Sequence, residues 1–173
     1  MDRRPMQESD RDEVAAFIEK HWGSRVVMSR GKAYRPHEEE AFIERRDGQI
    51  VGLLTYRLDG DGIEILTLNA TLEGQRIGGS LMLALMDEAR RRRCSRLWLT
   101  TTNDNLRAMG FYQRLGFRMT LINVGAVDDA RRIKPQIPLV GRDGIEIHDE
   151  IVLELRLEPY IDEPNECVGR SGD

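Results

Sequence analysis

Cysteine is scarce. The 173-residue chain has two, Cys94 and Cys167, far apart and with no CxxC or nearby histidine pair. That argues against a disulfide framework and against a zinc site. Long apolar runs are also missing: no stretch approaches the roughly 18 residues of a membrane span. The opening Met1-Asp2-Arg3-Arg4 is not followed by the apolar region of a secretory signal. These absences point to the cytoplasm and away from a membrane. Excess charge is lacking as well, with 26 basic against 30 acidic residues and a formal net charge of −4. The acidity is local. Beyond position 157 the chain holds five acids and one base, which leaves 25 of each sign in residues 1–157. A balanced body offers no broad surface for nucleic acid.

Hydrophobic residues make up 40% of the chain and charged residues 32%, a composition that folds and that rules out wholesale disorder. The length suits one domain with its own core. We read residues 1–157 as that domain and residues 158–173, with Pro159, Pro164 and Gly172, as an acidic and mobile tail. No internal repeat is visible.

Along the chain, residues 9–21 read as a helix capped by Ser9 or Asp10, with Val14, Phe17 and Ile18 on one apolar face. Residues 23–37 are aperiodic and read as a loop or short irregular helix. Residues 41–46 and 50–58 flank Asp47-Gly48, a strong hairpin signal, and a second Gly-rich turn leads into residues 63–69. A long helix follows from Gly74 to Arg90-Arg91-Arg92-Arg93, where cations suit a helix C-terminus. Residues 96–102 then read as a buried strand, 105–115 as a helix, 117–124 as a strand, 128–133 as a short helix and 150–157 as a final strand. The strand–helix–strand crossover in the middle makes its two strands parallel. The fold class is mixed α/β.

The segment Gly74-Gln75-Arg76-Ile77-Gly78-Gly79-Ser80 carries the first chemical signal. A Gly-rich turn opening a helix presents unpaired N–H groups and a positive dipole end, which together suit phosphate. No Lys follows the glycines, which excludes a P-loop, and the spacing is not GxGxxG. Taken alone, such a glycine pair is more often only a turn.

Three segments together say more. Gln75-Arg76-Ile77-Gly78-Gly79-Ser80 resembles the Q/RxxGxG/A pyrophosphate motif of the GNAT family of N-acetyltransferases, with Ser80 where the motif prefers Gly or Ala. Asn105 to Phe117 resembles the family's NxxAxxFYxxxGF, through Asn105, Ala108, Phe111, Tyr112, Gly116 and Phe117. One helix and one strand separate them, as in the family. The resemblance implies a GNAT-type fold, a mostly antiparallel sheet splayed between two central parallel strands and flanked by helices. It also implies acetyl-CoA as co-substrate, with no metal. Its pantetheine arm would lie along Leu66, Thr67 and Leu68, its pyrophosphate on the N–H groups of Gln75 to Gly79 beside Ser80, and Asn105 and Ala108 would meet the arm from the next helix.

The same resemblance assigns Tyr112 as general acid toward the CoA sulfur and Glu64 as general base. Glu64, among Ile63, Ile65 and Leu66, would be desolvated, or else would alternate to the solvent face of its strand. Trp22, His21 and Tyr34 fall where the family builds the acceptor side. Other residues invite weaker readings: Arg90 to Arg93 as a solvated helix end, Glu38-Glu39-Glu40 as a solvated run, Cys94 as a small junction residue. His148-Asp149, as neighbours on a strand, would point to opposite faces and form no dyad. The expected reaction is transfer of acetyl from acetyl-CoA to a primary amine of a small molecule, with residues 128–138 covering one side of the site. The alternatives are a non-catalytic acyl-CoA-binding module and a protein acetyltransferase. Expected partners are the small-molecule amine and, through the final strand, a second copy in a homodimer, with no nucleic acid and no membrane.

Overall fold

The computed structural model describes residues 2–72 and 74–158. The predicted mobile tail falls outside them, apart from Glu158, and so does Cys167. Nine strands and four α-helices follow one another in the order β1 (Asp2–Pro5), α1 (Arg11–Trp22), β2 (Val27–Ser29), β3 (Lys32–Tyr34), β4 (Glu40–Arg46), β5 (Gln49–Asp59), β6 (Gly62–Ala70), α2 (Ile77–Arg91), β7 (Arg96–Thr102), α3 (Leu106–Arg114), β8 (Arg118–Asn123), α4 (Ala126–Ile133) and β9 (Glu150–Arg156). Seven strands form one sheet in the order β1-β4-β5-β6-β7-β9-β8, and β2 pairs with β3 in a separate hairpin. Within the large sheet only β6 and β7 run parallel. The mixed α/β sheet splayed about two parallel strands is therefore the observed fold.

Apolar periodicity decides which helix covers which face. In α2, Leu81, Leu85 and Ala89 recur every fourth residue and are fully buried, with Met82 beside them. They pack with Ile63, Ile65, Leu97 and Leu99 of the central strands, together with Met109 and Tyr112 of α3. A second cluster on the other face joins Val14 and Ile18 of α1 to Ile43, Ile50 and Leu53. Gly52 lets α2 sit close to the sheet. A Cβ there would collide with Cγ2 of Ile77 and approach Cδ1 of Leu81 to 3.0 Å.

Several elements differ from the sequence reading. Residues 23–37 contain the β2–β3 hairpin and a 3-10 turn over Pro36–Glu38. Three-residue strands are too short to show alternation, and the turn uses Arg30 (φ 48°) and Gly31 (φ 73°) in place of the usual Asn-Gly. The long helix begins at Ile77, because Gly74 (φ 72°) and Arg76 (φ 55°) hold left-handed conformations before it. Edge strand β1, polar throughout, carries no alternation for the eye to find. The final strand lies between β7 and β8 with both sides paired, so it has no free edge to offer a second copy; the outer strand there is β8. His148 and Asp149 precede β9, where strand alternation does not apply. Their side chains meet at 2.9 Å, and the carboxylate raises the imidazole pKa.

Substituting Gly52→Ala should strain the seat of α2 and destabilise the protein by about 1–3 kcal/mol, the usual cost of overpacking. Thermal unfolding should register this as a fall of roughly 2–4 °C per kcal/mol. An unchanged melting temperature would show that Ile77 and α2 shift without cost.

Candidate active site

The site begins where two strands part. β6 and β7 pair from Gly62 with Arg96 as far as Ile65 with Leu99, and no further. From Leu66 and Thr100 onward the sheet is open, so the main chain of Leu66 to Ala70 has no strand on that side. A bulge sharpens the opening. Thr55 pairs with Thr67 and Tyr56 with Ile65, which leaves Leu66 without a partner on β5. The bulge also shifts the alternation, so that Ile65 and Leu68 pack toward α2 while Glu64 and Thr67 face the other way.

A cavity of about 70 Å³ occupies the gap, lined by Leu66, Thr67, Leu68, Asn105, Ala108 and Tyr112 among others. Six of the residues lining it, including Trp22, Leu66 and Thr100, also line a larger neighbour of about 280 Å³. That larger cavity is walled by the end of α1, the β2–β3 hairpin, α4 with the loop after it, and the first residue of β9. Of residues 128–138, Ala130, Lys134, Ile137 and Pro138 line this cavity, next to Val127.

Beside the gap, Ser80 makes the first helical bond of α2, its N–H donating to the Arg76 carbonyl at 2.9 Å. The N–H groups of Ile77, Gly78 and Gly79 stand ahead of that bond. Gly79 has nothing within 4 Å of where a Cβ would be, and a Cβ at Gly78 would meet only Phe111 at 3.6 Å and Leu68 at 4.0 Å. Gln75 and Arg76, just ahead of the helix, are exposed. The serine that departs from the motif turns its hydroxyl onto the buried Glu44 carboxylate at 2.8 Å.

Tyr112 lies edge-on between Phe111 and Phe117, with ring centroids 5.1 and 5.4 Å away. It is buried, and among the described residues no hydrogen bond engages its hydroxyl. Burial pushes the phenol well above its ordinary pKa. Asn105 caps α3, its side-chain oxygen accepting from the Ala108 N–H at 3.2 Å, while it also lines both cavities.

Glu64 is 1% exposed, so it does not face solvent. Nor does it sit in an apolar nest. Arg57 donates to one oxygen at 2.7 Å and the Ser29 hydroxyl donates to the other at 2.5 Å. Glu64 lines neither cavity. Its link to the larger one is a chain of hydroxyls, since Thr100 donates to Ser29 at 3.1 Å and both residues line that cavity. Among the residues placed on the acceptor side, Trp22 lines both cavities and donates to Asn69 at 2.5 Å. His21 packs against Phe17 with the rings tilted 44° and centroids 4.4 Å apart, and Tyr34 lies under Arg57. The sequence reading missed Ser29, Thr100, Lys134 and Glu150. A run of three threonines on a buried strand was the one signal it offered for them.

Away from the cavities, Arg90, Arg91 and Arg92 pair with Asp87, Glu88 and Glu40, the ordinary dress of a solvated helix end. Among the described residues no group of three His, Cys, Asp or Glu side chains is placed to hold a metal ion, and no helix is long and apolar enough to cross a membrane.

Comparison with known proteins agrees with this architecture. The family model of the GNAT acetyltransferases matches residues 4–117. The Bacillus subtilis (strain 168) protein YxbD, itself uncharacterized, is 37% identical over 155 residues, spanning 89% of this chain and 98% of the relative. Among solved structures, the Escherichia coli ribosomal-protein-S18-alanine N-acetyltransferase superposes with a TM-score of 0.63 at 17% identity, covering 94% of this chain and 97% of the other. A GNAT family acetyltransferase from Elizabethkingia anophelis with acetyl-CoA bound gives 0.61 at 21% identity, covering 90% and 97%. With its split parallel pair, its glycine-opened helix and this match over most of its length, the chain belongs to the GNAT acetyltransferase family.

Proposed function

We propose that the chain is a cytoplasmic, acetyl-CoA-dependent N-acetyltransferase that modifies the primary amine of a small molecule. The observation that carries this reading is a gap in the sheet with Tyr112 on one face and a walled cavity of about 280 Å³ on the other. A cavity of that size is at the small end of ligand sites. It suits a free amine better than a segment of folded protein.

The residues present fit acetyl-CoA. The N–H groups at the start of α2, which have no side-chain cap from Arg76, and the open space at Gly79 suit the pyrophosphate. The unpaired edge of Leu66 to Leu68 suits the amides of the pantetheine arm, which would add to the sheet as a strand does. The relative from Elizabethkingia anophelis holds acetyl-CoA, and this chain shares its fold. When bound, acetyl-CoA supplies an activated acetyl group.

The chain's own residues bind, orient and move protons. An amine arrives as an ammonium ion and must shed a proton to gain a lone pair. Thr100 donates to Ser29 and Ser29 donates to Glu64, a line that runs from the cavity to a carboxylate. A proton taken up by Thr100 at the cavity is matched by one passed from Ser29 to Glu64. Glu64 is thus the base of the proposal acting through two hydroxyls, and Arg57 keeps its buried charge compensated. On the other face, Tyr112 holds a proton at Oη for the leaving sulfur. Burial keeps that phenol protonated through the neutral range. At the bulge, where Leu66 has no register partner on β5 and β7 has already parted, a backbone N–H is the group of the proposal for the developing oxyanion.

Thiol release measured against a panel of amines tests the reading. Tyr112→Phe should lower kcat roughly ten-fold or more with little change in KM for acetyl-CoA; an unchanged kcat would remove the acid role. Gly79→Glu has room for its side chain but sets a charge against the pyrophosphate, so acetyl-CoA affinity by calorimetry should fall at least ten-fold. Survival of that affinity would show the cradle to be misassigned. Ser29→Ala and Glu64→Gln should each lower kcat, and the double variant should lose little more than either single one. Additive losses would mean that the hydroxyl line carries no proton.

A further inference from the structure

Among the described residues, two charged groups on the larger cavity have no partner of opposite sign. The described residues include four buried carboxylates: Asp10, Glu44, Glu64 and Glu150. Three of them have an arginine. Asp10 pairs with Arg4 and Arg45, Glu44 with Arg46, and Glu64 with Arg57. Glu150 has none. Its two oxygens accept from the Arg30 N–H and from the Asn123 side-chain amide, each at 3.1 Å, and it faces the cavity at 8% exposure. A carboxylate has about four acceptor sites, so roughly half remain open.

Lys134 is the complementary case. It sits just past α4 on the cavity wall, partly buried, and donates to the Val26 carbonyl at 2.7 Å. No carboxylate pairs with it among the described residues. An ammonium has three donors, so two are left for a ligand. Burial lowers its pKa, the mark of a cation lacking a counter-ion.

A charge drawn away from water without a counter-charge is destabilising until something neutralises it. A simple amine would answer Glu150 and leave Lys134 alone, and a simple acid would do the reverse. A small zwitterion answers both at once and brings no net charge into the cavity. The rest of the lining is largely apolar, with Trp22, Met28, Val127 and Ile137 among it. A protein N-terminus has an amine but no carboxylate on the same residue.

We propose that the acceptor is a free amino acid with an apolar side chain, its amino group drawn to Glu150 and its carboxylate to Lys134. This rests on the preceding reading of the cavity as the acceptor site. Glu150 and Lys134 set which amine enters, while Thr100, Ser29 and Glu64 receive the proton.

The test compares L-leucine, L-methionine and L-phenylalanine with the amines lacking their carboxylates, namely 3-methylbutylamine, 3-(methylthio)propylamine and phenethylamine. Thiol release gives kcat/KM, and calorimetry on the CoA-saturated protein gives affinity without turnover. The amino acids should lead their amines by at least ten-fold in both measurements. Lys134→Met should collapse that ratio toward one, Lys134→Arg should retain most of it, and Glu150→Gln should weaken amino acids and amines alike. Amino acids that bind in a Lys134-dependent way without turnover would uphold recognition of a zwitterion by Glu150 and Lys134, and would overturn its role as acceptor together with the enzyme reading. Turnover of plain amines at the amino acids' rate, or a ratio indifferent to Lys134→Met, would overturn the proposal and leave N-acetylation standing. Failure of the amino acids to bind or react at millimolar concentration would also overturn it.

Discussion

The structure depends on a pairing that stops. β6 and β7 are bonded over four residues and then diverge, and every feature of the site follows from that divergence. A sheet that stayed closed would satisfy the main chain of Leu66 to Ala70 and leave no edge for a ligand. The interruption is tolerated because each flank is secured separately. β6 is held by β5 through eight register pairs, and β7 by β9 through seven. The apolar seat of α2 on Ile63, Ile65, Leu97 and Leu99 locks the paired ends together. The strands can therefore separate at one end without loosening at the other.

The bulge at Leu66 turns this gap into a two-sided site. One extra residue reverses the alternation, so the two faces of β6 take on different work. Toward α2 and α3 lie Ile65, Leu68 and the buried ring of Tyr112, in an environment that keeps a phenol protonated. Toward α1 and the β2–β3 hairpin lie Glu64, Thr67 and the hydroxyls of Ser29 and Thr100. Charge is treated differently on the two sides of the cavity wall. Below the cavity, Glu64 is closed off by Arg57, which makes it part of the framework as well as a proton acceptor in the proposal. At the wall, Glu150 and Lys134 have hydrogen bonds but no opposite charge among the described residues, a state that a folded chain sustains most readily where a ligand completes it.

Much of this was legible in the chain. The Asp47-Gly48 hairpin, the apolar spacing of α2, the strand at 96–102 and the glycine and aromatic motifs are local signals. They describe elements that the structure contains within two or three residues. The β2–β3 hairpin was not legible, since its strands are three residues long and its turn uses Arg30-Gly31. The position of β9 was not legible either, because strand order is a matter of long-range pairing. Nor was the His148–Asp149 contact, which depends on β9 starting one residue after it.

The sequence by itself determined the element types, the parallel crossover, the phosphate-suited helix start and the family that the motifs resemble. The first three follow from periodicity and spacing over a few turns of chain, and the last from the resemblance of the motif residues themselves. Only the tertiary structure decided where the sheet opens, which buried carboxylates acquire an arginine, and which side chains share a cavity. Arg57 and Glu64 lie seven residues apart on paired strands, whereas Ser29 reaches Glu64 from 35 residues away and Lys134 reaches Val26 from 108. Burial and opposite charge are relations between distant segments. A linear chain lists the groups, but folding fixes which of them are left to face a ligand.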